Sequence, residues 1–226
     1  MRRSGSSYIL IAAAAVAMSL AHAQTTTEQS AAALSAADMA LRGDGHGVPP
    51  CSSCHGQAGE GNGAAGFPRL AGLPDTYLAA QLDALATGVR HSPVMEPVAK
   101  ALRAQQRMQL ARYYSALPAP RTAGTAPAGA LDDRLALQGR WSDDIPACVA
   151  CHGEGGSGVG SKFPSLAGQS SLYIANQLHA WKLGTRRGDP LGLMQAVASR
   201  LSEQDISAVS NYFAAQPLSN TPGAQP

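Results

Sequence analysis

An all-α fold built as two tandem copies is what this sequence predicts, and three observations predict it. The 226-residue chain matches itself at an offset of about 97 residues, and such self-similarity sets the architecture before any single element does. Apolar residues recur at helical spacing, most clearly Ile206, Val209, Tyr212 and Phe213, which share one helix face. No segment makes a convincing strand, by either alternation or hairpin punctuation.

The elements follow in order. Arg2 and Arg3 precede an apolar run from Tyr8 to Met18, and Ala21-His22-Ala23 gives a small-x-small cleavage pattern, the layout of a signal peptide. The run is shorter than the roughly 18 apolar residues of a spanning helix, so removal of residues 1–23 is expected over an uncleaved anchor. Removal leaves 203 residues with 15 basic and 15 acidic side chains. The next residue is Gln24 rather than Cys, so no lipid is expected there, and the product reads as a soluble exported protein. A first unit spans 24–117 and a second 131–226. Between them, 118–130 contains Pro118, Pro120 and Pro127 and lacks a hydrophobic period, which marks a partly extended linker.

Each unit reads as helices joined by loops. A short helix at 35–42, or 131–140, leads into a cysteine-containing turn and a glycine-rich loop. A middle helix follows at 76–86 or 171–183, then a methionine loop and a closing helix. Ser202 and Asp205 form a helix-start signal for the last of these; in the first unit Arg103 replaces the serine and promises a poorer start. The matches between units are ordered. Phe67-Pro68-Arg69-Leu70-Ala71-Gly72 recurs as Phe163-Pro164-Ser165-Leu166-Ala167-Gly168, and Tyr77, Gln81 and Arg90 recur as Tyr173, Gln177 and Arg186. Three extra residues precede the second methionine, within 186–190.

Composition narrows the function. Charged residues make up 14% and the formal net charge is +2, against a usual charged share of about 25%, which argues against a nucleic-acid binder. Aromatic residues are only 5%, so two small side-chain cores would be thin and something else has to fill them.

The four cysteines supply it. They fall in two frames, Cys51-Ser52-Ser53-Cys54-His55 and Cys148-Val149-Ala150-Cys151-His152. In a C-x-x-C-H frame the two thiols add to the vinyl groups of one haem, and the adjacent histidine ligates iron. A disulfide scaffold would not require histidine after both pairs. Paired zinc knuckles typically lie roughly 15 to 20 residues apart, whereas 93 residues separate Cys54 from Cys148. A thioredoxin-like pair would need a βαβ setting. Two covalent haem c groups are therefore expected, with Cys51, Cys54, Cys148 and Cys151 as anchors and His55 and His152 as proximal iron ligands.

The sixth ligand separates a carrier from a catalyst. Met95 lies 40 residues after His55 and Met194 lies 42 after His152, each read as lying in a loop before the closing helix; both are expected on iron. Met39 and Met108 have no repeat partner and read as packing residues. His91 and His179 could replace a methionine, but neither recurs, and His46 reads as a solvated loop residue. Pro68 and Pro164 can offer a carbonyl to the proximal imidazole Nδ1–H, or their motifs can serve as loop anchors. Arg90 and Arg186 read either as partners of haem propionates or as solvated surface residues.

With these motifs in place, the sequence resembles class I c-type cytochromes, and its tandem form resembles the dihaem cytochrome c4 family over nearly all of the exported chain. The resemblance implies two class I domains, each holding one low-spin His/Met haem. It also implies the carbonyl role of Pro68 and Pro164, and electron transfer in the periplasm toward a terminal oxidase or another acceptor. A saturated iron suits an electron carrier rather than an enzyme. Two alternatives are a cytochrome subunit docked to a periplasmic dehydrogenase and, third, a dihaem redox enzyme with an open iron. The expected partners are redox proteins, an oxidase, a reductase or a dehydrogenase subunit. Peripheral membrane attachment and oligomeric state stay open.

Overall fold

The computed structural model describes residues 36–120 and 133–218. The leader read at 1–23 and linker residues 121–130 lie outside them. Two similar helical halves follow one another. The first contains α1 (36–42), α2 (Ser52–His55), α3 (Asp75–Ala86), α4 (Met95–Ala101) and α5 (Ala104–Ala116). The second contains α6 (Arg134–Gln138), α7 (Val149–His152), α8 (Ser171–Lys182), α9 (Leu193–Arg200) and α10 (Glu203–Ala215). Pairing among the described residues is limited to isolated bridges.

In each half the middle helix packs against the two that follow: α3 on α4 and α5, α8 on α9 and α10. The repeat explains why. Leu78, Leu102 and Tyr114 are buried in the first core, and their partners Ile174, Leu201 and Phe213 are buried in the second. Helix ends follow local chemistry. Ser202 Oγ accepts from Asp205 N–H at 3.1 Å, and the Asp205 carboxylate accepts from Ser202 N–H at 2.9 Å. Arg140 then forks onto both Asp205 oxygens at 2.9 Å, tying α10 to the chain after α6. In α5 only half of that box forms: Gln106 Oε1 accepts from Arg103 N–H at 2.8 Å, and a guanidinium cannot accept in return.

One part of the layout differs from the sequence expectation. Met95 and Met194 sit in the first turns of α4 and α9 rather than in loops. The cause is a side-chain acceptor upstream of each: Ser92 Oγ takes Met95 N–H at 3.2 Å, and the Asp189 carboxylate takes Met194 N–H. Satisfying an orphan first-turn donor starts the helix at that point. Both methionines are thereby held on rigid elements.

The halves also pack on each other. Around the Arg90–Arg186 bridge, His91 N–H donates to Thr185 O at 2.9 Å and Arg187 N–H to Val89 O at 3.0 Å. The side chains cross reciprocally. Arg90 donates to Tyr173 Oη at 2.9 Å and Gln177 Oε1 at 2.7 Å, while Arg186 donates to Tyr77 Oη at 3.3 Å and Gln81 Oε1 at 2.9 Å. Residues repeated within each half therefore meet across the boundary.

Candidate functional site

Each cysteine motif forms a one-turn helix, α2 or α7, that carries its histidine into the interior; His55 is 6% exposed and His152 8%. Gly56 and Gly153 end these turns at φ 82° and 78°, a region that glycine enters without a Cβ penalty, and the chain doubles back. The Gly61 and Gly158 N–H groups then donate to the His55 and His152 carbonyls, both at 2.7 Å. A Cβ on Gly61 would lie 2.6 Å from Arg69 N, and one on Gly158 would lie 2.7 Å from Ser165 N. The bare glycines let the Phe-Pro-x-Leu loop approach the histidine.

That approach sets the tautomer. His55 Nδ1 lies 2.9 Å from Pro68 O, and His152 Nδ1 lies 2.9 Å from Pro164 O. A carbonyl can only accept, so each imidazole is protonated at Nδ1 and leaves the Nε2 lone pair free for a metal. Burial pushes both imidazoles below their usual pKa, opposed by the carbonyl bond, and keeps that lone pair available. Phe67 and Phe163 stand edge-on to the rings at 6.2 Å between centroids.

The cysteines are unpaired. Burial raises the thiol pKa of Cys51 and pushes that of Cys148 up to about 11. Among the described residues no three His, Cys, Asp or Glu side chains converge as a metal-binding group. The disulfide and zinc alternatives thus lack support, while adjacent thiols, a neutral imidazole with Nε2 free and a half-buried methionine fit a covalently attached haem in each half. Met39 and Met108 lie in or against the first core cluster. His46 is exposed, His91 lies 3.1 Å from Glu96 and His179 lies 2.7 Å from Glu203, so these rivals are placed or engaged elsewhere.

Arg90 and Arg186 are not solvated surface residues, as one reading of the sequence allowed. Arg186 is 5% exposed, and it stacks on Trp181 with its guanidinium carbon 3.9 Å from the ring centroid. Both guanidiniums share the oxygens of Gln81 and Gln177, with no carboxylate among their described contacts. Burial opposes ionisation of the Tyr173 phenol, but Arg90 and Arg186 outweigh it and hold its pKa below the usual value. Two cations this close in a partly desolvated setting favour an anionic partner. Sequence reasoning missed Ser92 and Asp189 as helix starters, and it missed the contact of Arg69 with Gln169. The second pair occupies positions where the repeats differ, so a search for matches passes over it.

The cytochrome c family model matches residues 49–117 and again 145–216. A thiosulfate dehydrogenase electron acceptor of Thiomonas intermedia is 53% identical over 179 residues, covering 77% of this chain and 82% of that protein. The solved thiosulfate dehydrogenase (TsdBA) of Marichromatium purpuratum superimposes with a TM-score of 0.75 at 43% identity, over 81% of this chain; the match spans 40% of that longer chain. Reduced cytochrome c4 of Pseudomonas stutzeri superimposes with a TM-score of 0.68 at 31% identity, over 74% of this chain and 93% of that one.

Proposed function

The chain belongs to the cytochrome c family, with that domain present twice, and on this premise we propose that it is the periplasmic electron acceptor of a thiosulfate-oxidising dehydrogenase. It is an electron-transfer protein with two covalent haem c groups, and its role is that of a carrier rather than of an enzyme. The observation that carries the choice of partner is the 53% identity, over most of both chains, to a protein named for that role. The haems supply a one-electron ferric/ferrous couple.

The residues have separate tasks. Cys51 and Cys54, then Cys148 and Cys151, hold the groups covalently, so nothing diffuses away after export. His55 and His152 present Nε2 to iron, oriented by the Pro68 and Pro164 carbonyls. Met95 and Met194 offer a thioether, which favours the ferrous state and closes the iron to oxygen and peroxide. Arg90 and Arg186 would offer haem carboxylates a cationic partner. The domain limits proposed are 24–117 and 131–226, joined by 118–130, after removal of residues 1–23. Among the described residues no helix is long and apolar enough to cross a membrane.

The docking face proposed lies beside Met194. Leu191 is 95% exposed and adopts φ 57° directly after the segment lengthened relative to the first half, with Leu183 76% exposed nearby in sequence. Exposed apolar side chains of this kind suit the modest, exchangeable interfaces of redox partners.

Stopped-flow mixing of the ferric protein with thiosulfate dehydrogenase and thiosulfate tests the proposal. Both haems are expected to be reduced within the enzyme's turnover time, and Leu191→Asp is expected to slow second-order reduction about tenfold, equivalent to about 1.4 kcal/mol at the docking step. If the protein stays ferric with that pair yet is reduced by another respiratory donor, the partner assignment fails and a carrier feeding an oxidase takes its place.

A further inference from the structure

We propose that Gln169, in the second half, is a positioning residue for the iron ligand of the first half, acting on His55 through a single peptide group. The inference rests on the haem assignment above and concerns what sets the two irons apart.

The peptide between Pro68 and Arg69 is engaged at both ends. Its carbonyl, from Pro68, accepts from His55 Nδ1 at 2.9 Å. Its N–H, from Arg69, donates to Gln169 Oε1 at 2.9 Å. Gln169 Nε2 returns a bond to Arg69 O at 3.1 Å, and Ser170 N–H also points at Oε1 at 3.2 Å, so the donor and acceptor ends of the amide are fixed by their partners. Gln169 is 4% exposed and Arg69 2%; water does not compete for these bonds.

A peptide group is a conjugated unit. An acceptor on its N–H pushes electron density toward its oxygen, and hydrogen bonds in such a chain strengthen one another. The Pro68 carbonyl therefore becomes a better acceptor for the His55 ring proton. A more strongly bonded ring proton makes the imidazole a more electron-rich iron ligand, which favours the ferric state.

The second half lacks this device. His152 meets Pro164 O at the same 2.9 Å, but the residue matching Gln169 in the first half is Leu73, which has no side-chain acceptor. Ser165 N–H donates to no described residue. The peptide that holds His55 is thus hydrogen-bonded to the other half, and the peptide that holds His152 has no matching bond among the described residues. Arg69 adds a different influence. Its guanidinium bonds to Ala71 O at 2.6 Å and Ala167 O at 3.2 Å, placing a buried cation between the two histidine-binding loops, where it favours the ferrous state of both irons. Burial pulls its pKa down to about 10, and it stays charged at neutral pH.

The test is Gln169→Leu in the full holoprotein, which gives the first half the side chain the second half meets. Both midpoint potentials are measured by spectroelectrochemistry, with Met95→His used to assign the first haem. The ferrous-state proton signals of the His55 and His152 rings are followed by magnetic resonance. Gln169→Leu is expected to shift the first haem's equilibrium toward the ferrous form by up to about tenfold, about 59 mV for one electron, and to move the His55 ring signal while His152 stays in place. Arg69→Ser is expected to shift both haems the opposite way. Two reducible haems with neither midpoint moved by Gln169→Leu, or both variants shifting both haems in the same direction as a loosened interface would, overturn the proposal. A parent protein without two reducible haems overturns the haem assignment itself, and this inference with it.

Discussion

Alanine at Met95 or Met194 is expected to open one iron to carbon monoxide while the other stays closed. The expectation comes from the surroundings of the methionines. Each sits in the first turn of a helix whose start is fixed by Ser92 or Asp189, so truncating the side chain leaves the backbone in place and brings no neighbouring donor into reach. His91 and His179 lie against Glu96 and Glu203 instead. Each variant should lose half of the ferric methionine-ligation absorption and bind one carbon monoxide per chain in the reduced form. Histidine at the same position should keep that iron closed and lower its potential by a sizeable part of the roughly 0.8 V that axial ligands span. Unchanged spectra in Met95→Ala or Met194→Ala would show that another group holds the sixth position.

The second large effect concerns folding. Replacing Cys51, Cys54, Cys148 and Cys151 by serine is expected to abolish the cooperative thermal transition. The first half is described over residues 36–120, and its buried cluster contains one aromatic side chain, Tyr114. A core in a domain of roughly 80 residues rarely supplies more than about 3–5 kcal/mol, and here the prosthetic group completes it. Restoring only Cys148 and Cys151 should bring back helical signal and slow hydrogen exchange in 133–218 but not in 36–120. A native-like cooperative melt in the fully substituted chain would contradict the view that haem fills the cores.

How much of this was legible beforehand depended on whether the determinant was local. The cysteine frames, the tandem repeat and the Ser202–Asp205 helix start each lie within a few residues or in the ordered agreement of the two halves, and the sequence displays them directly. The carbonyl partners of His55 and His152 were reachable because the Phe-Pro-x-Leu-Ala-Gly loops recur. The helical placement of Met95 and Met194 was missed because its causes, Ser92 and Asp189, are different residues in the two halves. The arginines illustrate the deeper limit. Nothing within one repeat shows that Arg90 meets Tyr173 and Gln177 of the other, since that contact exists only once the halves pack. Gln169 is harder still: it matters because Leu73 stands in the matching place, and a repeat is recognised by its agreements.

Optical spectra report directly on whether both irons are closed. The holoprotein is purified, its haem counted per chain, its ferric and ferrous spectra recorded, and carbon monoxide added after reduction. Two haems per chain, ferric methionine-ligation absorption from both, and ferrous spectra that carbon monoxide leaves unchanged are expected. A single haem, or a reduced haem that takes up carbon monoxide readily in the parent protein, would contradict two closed electron-transfer sites and put catalysis at an open iron in their place.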